Sequence, residues 1–234
     1  MRLEEYGFRD YYHSYMILEA DSLTEQLKDV LPIRDEDCFV LCSCYVAENR
    51  RLTFNVLAVG DAAEHCRRGL RRKAMLGLYE YWQVQECEVQ FIEPDLTMAR
   101  KNAPWQKQQE AWTDAELWFT RMDPRLDAVR DPVYPDTVMT GVLTTAGIQE
   151  YPMNLVSFNG PFAEGRLAEE PDAVQGLHKG ELFRALPYHT GKETRLLTVF
   201  AGSMLSQEDE EALKELIRTG DEAGFGFSTP TLKN

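Results

Sequence analysis

No uncharged apolar run in the sequence approaches the roughly 20 residues that a membrane-spanning helix requires. The first residues, Met1 to Tyr6, are charged and lack the apolar core of a secretory signal. All five cysteines lie between positions 38 and 87, and this odd, crowded set does not suit a disulfide framework. These absences predict a cytoplasmic protein with reduced, mostly buried thiols and no membrane contact.

The sequence also lacks the short motifs that carry catalysis or cofactor binding. No nucleophile elbow or dinucleotide loop occurs in a suitable strand–helix context. The cysteines lack the C-x-x-C step of most zinc sites, and no two histidines have the i, i+4 spacing of a metal-binding helix. Cys66 is the one candidate nucleophile, although its apolar helical neighbours predict burial. The sequence therefore predicts no metal and no cofactor, and it leans towards a protein that is not an enzyme.

Basic residues are scarce, with 25 lysines and arginines against 39 acidic residues and a formal charge of −14. This balance makes nucleic acid and anionic membranes unfavourable partners, because phosphate attraction provides most non-specific binding. It favours solubility and attraction to basic partners. The hydrophobic fraction of 44% is sufficient for a packed core.

Residues 38–59 predict a β-hairpin around which the first half of the chain is organised. The run from Cys38 to Ala47 has no charge, which is typical of a strand covered on both faces. Alternation places Cys42 and Cys44 on one face and Ser43 and Tyr45 on the other. The polar residues 48–50 predict the turn, and strand character resumes from residue 51.

A helix over 61–82 and a strand over 84–92 are predicted next. Asp61 is a suitable cap, and apolar residues recur three or four positions apart through the predicted helix. Pro104 suits the first position of another helix, predicted over 104–122. Trp105, Trp112 and Trp118 on this helix are a candidate interface, although core packing explains such an aromatic stripe equally well.

Residues 123–136 contain three prolines and four aspartates and predict a linker. Beyond it, hairpins are predicted over 138–158 and 181–201, with an irregular segment at 162–179 and a helix from Ser206 to Gly220. The sequence therefore predicts an α+β fold of two small domains, 1–122 and 137–234. Each is expected to be a mainly antiparallel sheet with helices packed on one face, and a single larger domain remains the alternative.

A basic cluster is the most unusual local feature, with five cations within seven residues of an acidic chain. Arginine suits carboxylate and phosphate groups, so the cluster is a candidate binding site for an acidic partner, a phosphoryl ligand or RNA. A solvated helix face paired with the protein's own carboxylates is the alternative. The cluster consists of Arg67, Arg68, Arg71, Arg72 and Lys73.

Three functions fit these features. The preferred hypothesis is a non-catalytic, acidic cytoplasmic binding or regulatory protein of the inhibitor, immunity or accessory type, acting through a protein partner or a homo-oligomer. The second is a hydrolase or transferase with an inter-domain cleft, using carboxylates of residues 164–193 with His178 or His189. The third is an anion or RNA binder that uses the basic cluster at 67–73.

Overall fold

A computed structural model describes residues 1–19, 34–69, 77–112, 115–144, 147–159, 162–171, 178–189 and 194–199. The chain divides into two compact units, residues 1–114 with 131–135 and residues 115–130 with those from 136 onward. Each unit contains one β-sheet, and several helices accompany the sheets. The α+β class is therefore confirmed, while the limits of 1–122 and 137–234 for two domains stay a prediction.

The first unit contains a five-stranded sheet with the order β4–β3–β2–β1–β5, in which every neighbouring pair is antiparallel. The predicted hairpin is confirmed, because β2 and β3 pair directly along their lengths. The strands are β1 Tyr15–Glu19, β2 Phe39–Val46, β3 Leu52–Gly60, β4 Gly77–Glu80 and β5 Glu88–Ile92.

The α-helices of the described residues are α1 Phe8–Tyr11, α2 Ala63–Gly69, α3 Tyr81–Val84, α4 Leu96–Trp112 and α5 Ala115–Met122. Two 3-10 helices span Leu3–Glu5 and Pro124–Val129. Within the described part of the chain, no helix combines the length and the apolar character that crossing a bilayer requires. The predicted helix at 206–220 lies outside the described residues.

Both faces of strand β2 are buried, as its uncharged sequence predicts. Cys42 and Cys44 pack on one face with Tyr11 of α1 and Tyr81 of α3. The opposite face carries Leu41 and Ala58, which pack with residues of the two longer helices of this unit, Cys66 of α2 and Met98 of α4. Strand alternation thus separates the two apolar clusters.

The prediction of one helix over 61–82 is wrong in its second part. Helix α2 is described over Ala63–Gly69, whereas residues 77–80 form strand β4 and α3 begins at Tyr81. Leu78 has helical spacing from the preceding apolar residues, but pairing with β3 decides the local structure. Tyr79 consequently turns into the core while Leu78 is 47% exposed, which is the alternation of a strand.

Two further element limits need correction. The strand predicted over 84–92 begins only at Glu88, because Val84 belongs to α3. The helix predicted over 104–122 is described as Leu96–Trp112 and Ala115–Met122, so it begins earlier than predicted, at Leu96, with Pro104 inside it. Asp95 provides the true start, since its side-chain Oδ1 accepts hydrogen bonds from the backbone N–H groups of Thr97 and Met98 at 2.8 and 2.9 Å.

The second unit is a closed five-stranded barrel with the order β10–β6–β7–β8–β9. Consecutive strands pair in antiparallel fashion, and β10 closes the barrel by pairing in parallel with β6. An odd number of alternating strands can close only through one parallel pair, and closure leaves no exposed sheet edge. The strands are β6 Thr137–Thr144, β7 Gly147–Asn159, β8 Phe162–Leu167, β9 Leu182–His189 and β10 Thr194–Val199.

The hairpins predicted over 138–158 and 181–201 correspond to β6–β7 and β9–β10, but β8 lies in the segment predicted to be irregular. Its buried residues include Ala163 and Gly165, which give little apolar signal. Only glycine fits at position 165, because a Cβ there would overlap the Met153 side chain. The barrel interior therefore selects small residues where a strand prediction relies on large ones.

A buried ion pair fixes α5 to the start of the barrel. The Arg121 guanidinium donates from Nε and NH2 to the two carboxylate oxygens of Asp136 at 2.9 and 2.6 Å, and both side chains are at most 3% exposed. Arg130 lies nearby and donates to the Thr120 carbonyl. Burial lowers the pKa of Arg130 to about 10, an effect that the Asp136 charge opposes. Asp136 thus pairs directly with Arg121, and its charge is the largest of three acidic charges that oppose the effect of burial on Arg130.

We expect Asp136→Ala to reduce the free energy of unfolding by about 3–5 kcal/mol, because it leaves Arg121 buried without its counter-charge. Urea denaturation of the full chain measures this loss. The matched control is Glu150→Ala, which removes an exposed pair with Arg195 and should cost about 0–1 kcal/mol. Equal losses in the two variants would contradict the structural role of the buried pair.

Candidate binding cleft

An open cleft of about 440 Å³ lies between strand β2 and helix α4 in the first unit. Its walls come from the end of β2, the β2–β3 turn and one face of α4. The lining residues are Tyr45, Ala47, Glu48, Asn49, Trp105 and Gln108.

Two aromatic rings form the inner part of the cleft. Met98, Asn102 and Trp105 recur at intervals of four and three along α4, so they share the helix face that packs on the sheet. The Tyr45 and Trp105 rings lie 6.5 Å apart at an angle of 31°. Tyr45 is 4% exposed, and burial raises the pKa of its phenol to about 12. The inner wall of the cleft is therefore aromatic, and the burial of Tyr45 leaves that side chain little room to move.

A buried hydrogen-bond cluster, here called the Asn102 cluster, lies one helical turn before Trp105. The side-chain Oδ1 of Asn102 accepts from Ser43 Oγ at 2.7 Å and from Asn55 Nδ2 at 3.1 Å. Its Nδ2 donates to the Tyr15 hydroxyl at 3.2 Å. Ser43 lies opposite Tyr15 and Asn55 in the sheet, so one helical amide is bonded to three adjacent strands. This geometry sets the position of α4, and hence of Trp105, on the sheet.

The β2–β3 turn fixes the rim of the cleft. The Ala47 and Arg51 backbones are joined at 2.9 Å, and Asn49 Oδ1 accepts from the Arg51 N–H at 3.1 Å. Arg50 closes the turn in the left-handed region, with φ of 65°. Glu48 is exposed at this rim, and its carboxylate has no ion pair or hydrogen bond to the residues that the structure describes. The turn thus presents an exposed carboxylate at the cleft.

A second surface feature, here called the Trp82 anchor, lies at the edge of the sheet. The Trp82 indole is 59% exposed, yet its N–H donates to Glu80 Oε2 at 2.8 Å. Arg51 NH1 holds the other Glu80 oxygen at 2.6 Å, and Arg51 Nε donates to the Tyr134 hydroxyl at 2.8 Å. An exposed aromatic ring is therefore held in one orientation by a chain of charge-assisted hydrogen bonds.

The Trp82 anchor and the cleft belong to the same face of the sheet. Thr53 of β3 lies opposite both Tyr45 of β2 and Glu80 of β4, so these three side chains point to one side. Leu78, two residues before Glu80, shares that side and is 47% exposed. Since neighbouring strands lie about 4.8 Å apart, the two features are separated by roughly 10 Å across the sheet.

The structure describes only some of the residues that the sequence predicts as an interface or a binding site. Trp105 lies at the cleft and is half-buried, whereas Trp118 lies on α5 in the other unit and is 40% exposed. The side chain of Trp112 is outside the described part. Arg67 and Arg68 lie on α2 with their side chains undescribed, and Arg71, Arg72 and Lys73 lie outside the described residues. The basic cluster and the three-tryptophan interface therefore stay predictions.

The histidines and thiols can be placed in part. His178 Nδ1 lies 2.7 Å from Glu170 Oε1, and this hydrogen bond raises the pKa of His178, although both side chains are more than half exposed. The side chain of His189 is not among those described. Cys66 is buried as predicted, and burial raises the pKa of its thiol to about 12. Within the described residues, no group of three histidine, cysteine or acidic side chains is suited to hold a metal ion.

Sequence patterns alone missed most of this surface. Trp82 fell at the end of the helix predicted over 61–82, and Tyr134 fell in the predicted linker. Asn102 offered one usable signal, since it lies three residues before Trp105 on the same helix face. No family model, curated protein or solved structure matches the chain. The chemistry of the cleft and of the Trp82 anchor is therefore the basis for a functional proposal.

We expect Asn102→Ala to lower the free energy of unfolding by about 2–4 kcal/mol, because Ser43, Asn55 and Tyr15 lose a common buried partner. Lys107→Ala, on an exposed position of the same helix, is the control and should change stability by less than about 0.5 kcal/mol. Urea titrations followed by tryptophan fluorescence give both values. A wild-type stability for Asn102→Ala would contradict the role of the cluster in placing α4.

The Trp82 anchor should titrate at an unusually low pH. Hydrogen bonds from Trp82 and then Arg51 lower the pKa of Glu80 below its ordinary value of 4.5. The stability that ionised Glu80 provides is therefore complete above pH 4.5 and is lost as the pH falls through the lower folded pKa. The Trp82 indole N–H signal in proton–nitrogen NMR spectra should shift with a midpoint below 4.5.

Glu80→Gln is the control for this titration, because the amide still accepts from the indole but does not ionise in this range. Its Trp82 signal should not titrate. A wild-type midpoint at or above 4.5 would contradict the hydrogen-bonded anchor.

Proposed function

We propose that the protein is a non-catalytic binding or regulatory protein that acts through protein–protein contacts. The proposed contact surface is the face of the first sheet that carries the cleft and the Trp82 anchor. One observation carries this proposal: Trp82 is 59% exposed, yet Glu80 and Arg51 hold its ring in one orientation. A fixed, exposed tryptophan loses little conformational freedom on binding, and tryptophan is enriched among the residues that dominate binding energy.

The chemistry of the surface indicates the kind of partner. Leu78 and Trp82 offer apolar area, and Glu48 adds an exposed carboxylate that no described residue pairs with. The chain has a formal charge of −14, so a second copy would bring like charges together, whereas a basic protein would be attracted. A basic protein partner with an apolar contact residue is therefore favoured over a homo-oligomer.

A cytoplasmic location is part of the same proposal. The five cysteines all lie within the described residues and form no disulfide there, and Cys42 and Cys44 are buried in the core. Free thiols persist most readily in a reducing compartment. An inhibitor, an immunity protein or an assembly accessory would act through a contact of this kind.

Selection of a random peptide display library on the immobilised full chain tests the proposal without a known partner. We expect the enriched peptides to combine net positive charge with an apolar residue. Synthetic versions should bind Trp82→Ala at least about tenfold more weakly than the wild-type chain, as expected for a dominant contact residue. Fluorescence anisotropy of the labelled peptides measures these affinities.

Trp118→Ala is the matched control, because it removes another exposed tryptophan from the other unit. Its affinity for the peptides should stay within about twofold of the wild-type value. Enrichment of acidic peptides, or equal binding to Trp82→Ala and to the wild-type chain, would contradict the proposed surface.

A further inference from the structure

We propose that the cleft between Tyr45 and Trp105 is a cation site that binds the guanidinium group of an arginine side chain. That this arginine belongs to the basic protein partner rests on the proposed function above. The cation site itself rests only on the groups that line the cleft.

The aromatic walls are the first of these groups. The faces of tyrosine and tryptophan rings carry partial negative charge, and cations are attracted to within about 6 Å of the ring centre. Tyr45 and Trp105 contribute two such rings at a tilt of 31°. Tyr45 is 4% exposed and Trp105 is half-buried, so a cation beside the rings is less screened than on a fully exposed surface.

Polar groups at the rim are the second set of groups that line the cleft. Glu48 contributes a carboxylate and Gln108 an amide, and neither side chain has a hydrogen-bond or ion-pair partner among the described residues. Gln108 lies three residues after Trp105 and so on the same side of α4. An incoming donor therefore finds acceptors that the described part of the protein does not occupy.

These groups discriminate between classes of ligand. An anion would face the Glu48 carboxylate, the negative faces of two rings and a chain of net charge −14. A neutral apolar group would contact the rings but would desolvate the carboxylate without compensation. A cation is attracted both by the faces of the two rings and by the Glu48 carboxylate. A planar guanidinium can stack on an aromatic face and donate in parallel to a carboxylate, which an ammonium cannot do.

The groups that line the cleft are positioned before a ligand binds. The Asn102 cluster positions α4 and therefore Trp105, and the hydrogen-bonded turn at 47–51 positions Glu48. Little ordering of the site is then needed on binding, which favours recognition of a single side chain. The cleft, with a volume of about 440 Å³, is open to solvent and large enough to admit a guanidinium group.

The test uses N-acetyl-arginine amide as the probe, titrated into the full chain at constant ionic strength. Two-dimensional proton–nitrogen NMR follows the Trp105 indole N–H, assigned with Trp105→Phe. We expect a saturable shift of this signal with millimolar affinity. N-acetyl-citrulline amide has nearly the same shape without the charge and should bind at least about tenfold more weakly. N-acetyl-lysine amide should be intermediate.

Glu48→Gln should weaken arginine-amide binding about tenfold, because it removes the carboxylate while keeping the side-chain size. Glu93→Gln, an exposed acid of the same unit, is the charge-matched control and should bind within about twofold of the wild-type chain. Equal melting temperatures would show that both variants remain folded. Equal binding of citrulline and arginine amides, an unchanged affinity in Glu48→Gln, or no saturable shift would overturn the proposal.

The test of the cation site and the test of the proposed function can fail independently of each other. Saturable arginine-amide binding together with basic peptides that do not depend on Trp82 would support the cation site and refute the wider contact surface. Peptide binding that depends on Trp82 but not on Glu48 would refute the cation site alone.

Discussion

The Asn102 hydrogen-bond cluster is the constraint on which the candidate surface depends. A single side-chain amide on α4 bonds to groups on β1, β2 and β3, in a region where each partner is shielded from water. Apolar packing of Met98 alone would tolerate sliding of the helix, because hydrophobic contact is not directional. Hydrogen bonds are directional, so they specify one position for the helix. The Tyr45–Trp105 cleft exists because that position brings the tryptophan beside the end of β2.

The same unit uses electrostatics where it is exposed to solvent. Arg51 links the end of the β2–β3 turn to Glu80 and Tyr134, and Glu80 in turn orients Trp82. Exposed ion pairs contribute little to stability, so the more important consequence of these hydrogen bonds is the orientation that they favour for an exposed ring. The second unit shows the contrasting case, since Arg121 and Asp136 are buried and serve to attach α5 to the barrel.

Some of this architecture is predictable from the sequence. The hairpin of β2 and β3 follows from an uncharged run with two-residue alternation, and the burial of Cys66 follows from helical spacing. Predictions were wrong where pairing with a distant strand determines the local structure. Gly77–Glu80 is an example, because it pairs with β3 as an edge strand despite its helical sequence pattern. Strand β8 was missed because the barrel requires small residues such as Gly165. The partners of Asn102 and the contact of Tyr134 with Arg51 join residues more than 40 positions apart, which no local pattern reveals.

Hydrogen–deuterium exchange of the full chain, alone and with a basic peptide selected for binding, would locate the contact surface. If the α4-bearing face of the first sheet is the contact surface, added protection should be confined to residues 45–51, 78–84 and 102–108. Protection concentrated in the barrel strands β6–β10, or in α2, would show that the binding surface lies elsewhere on the protein.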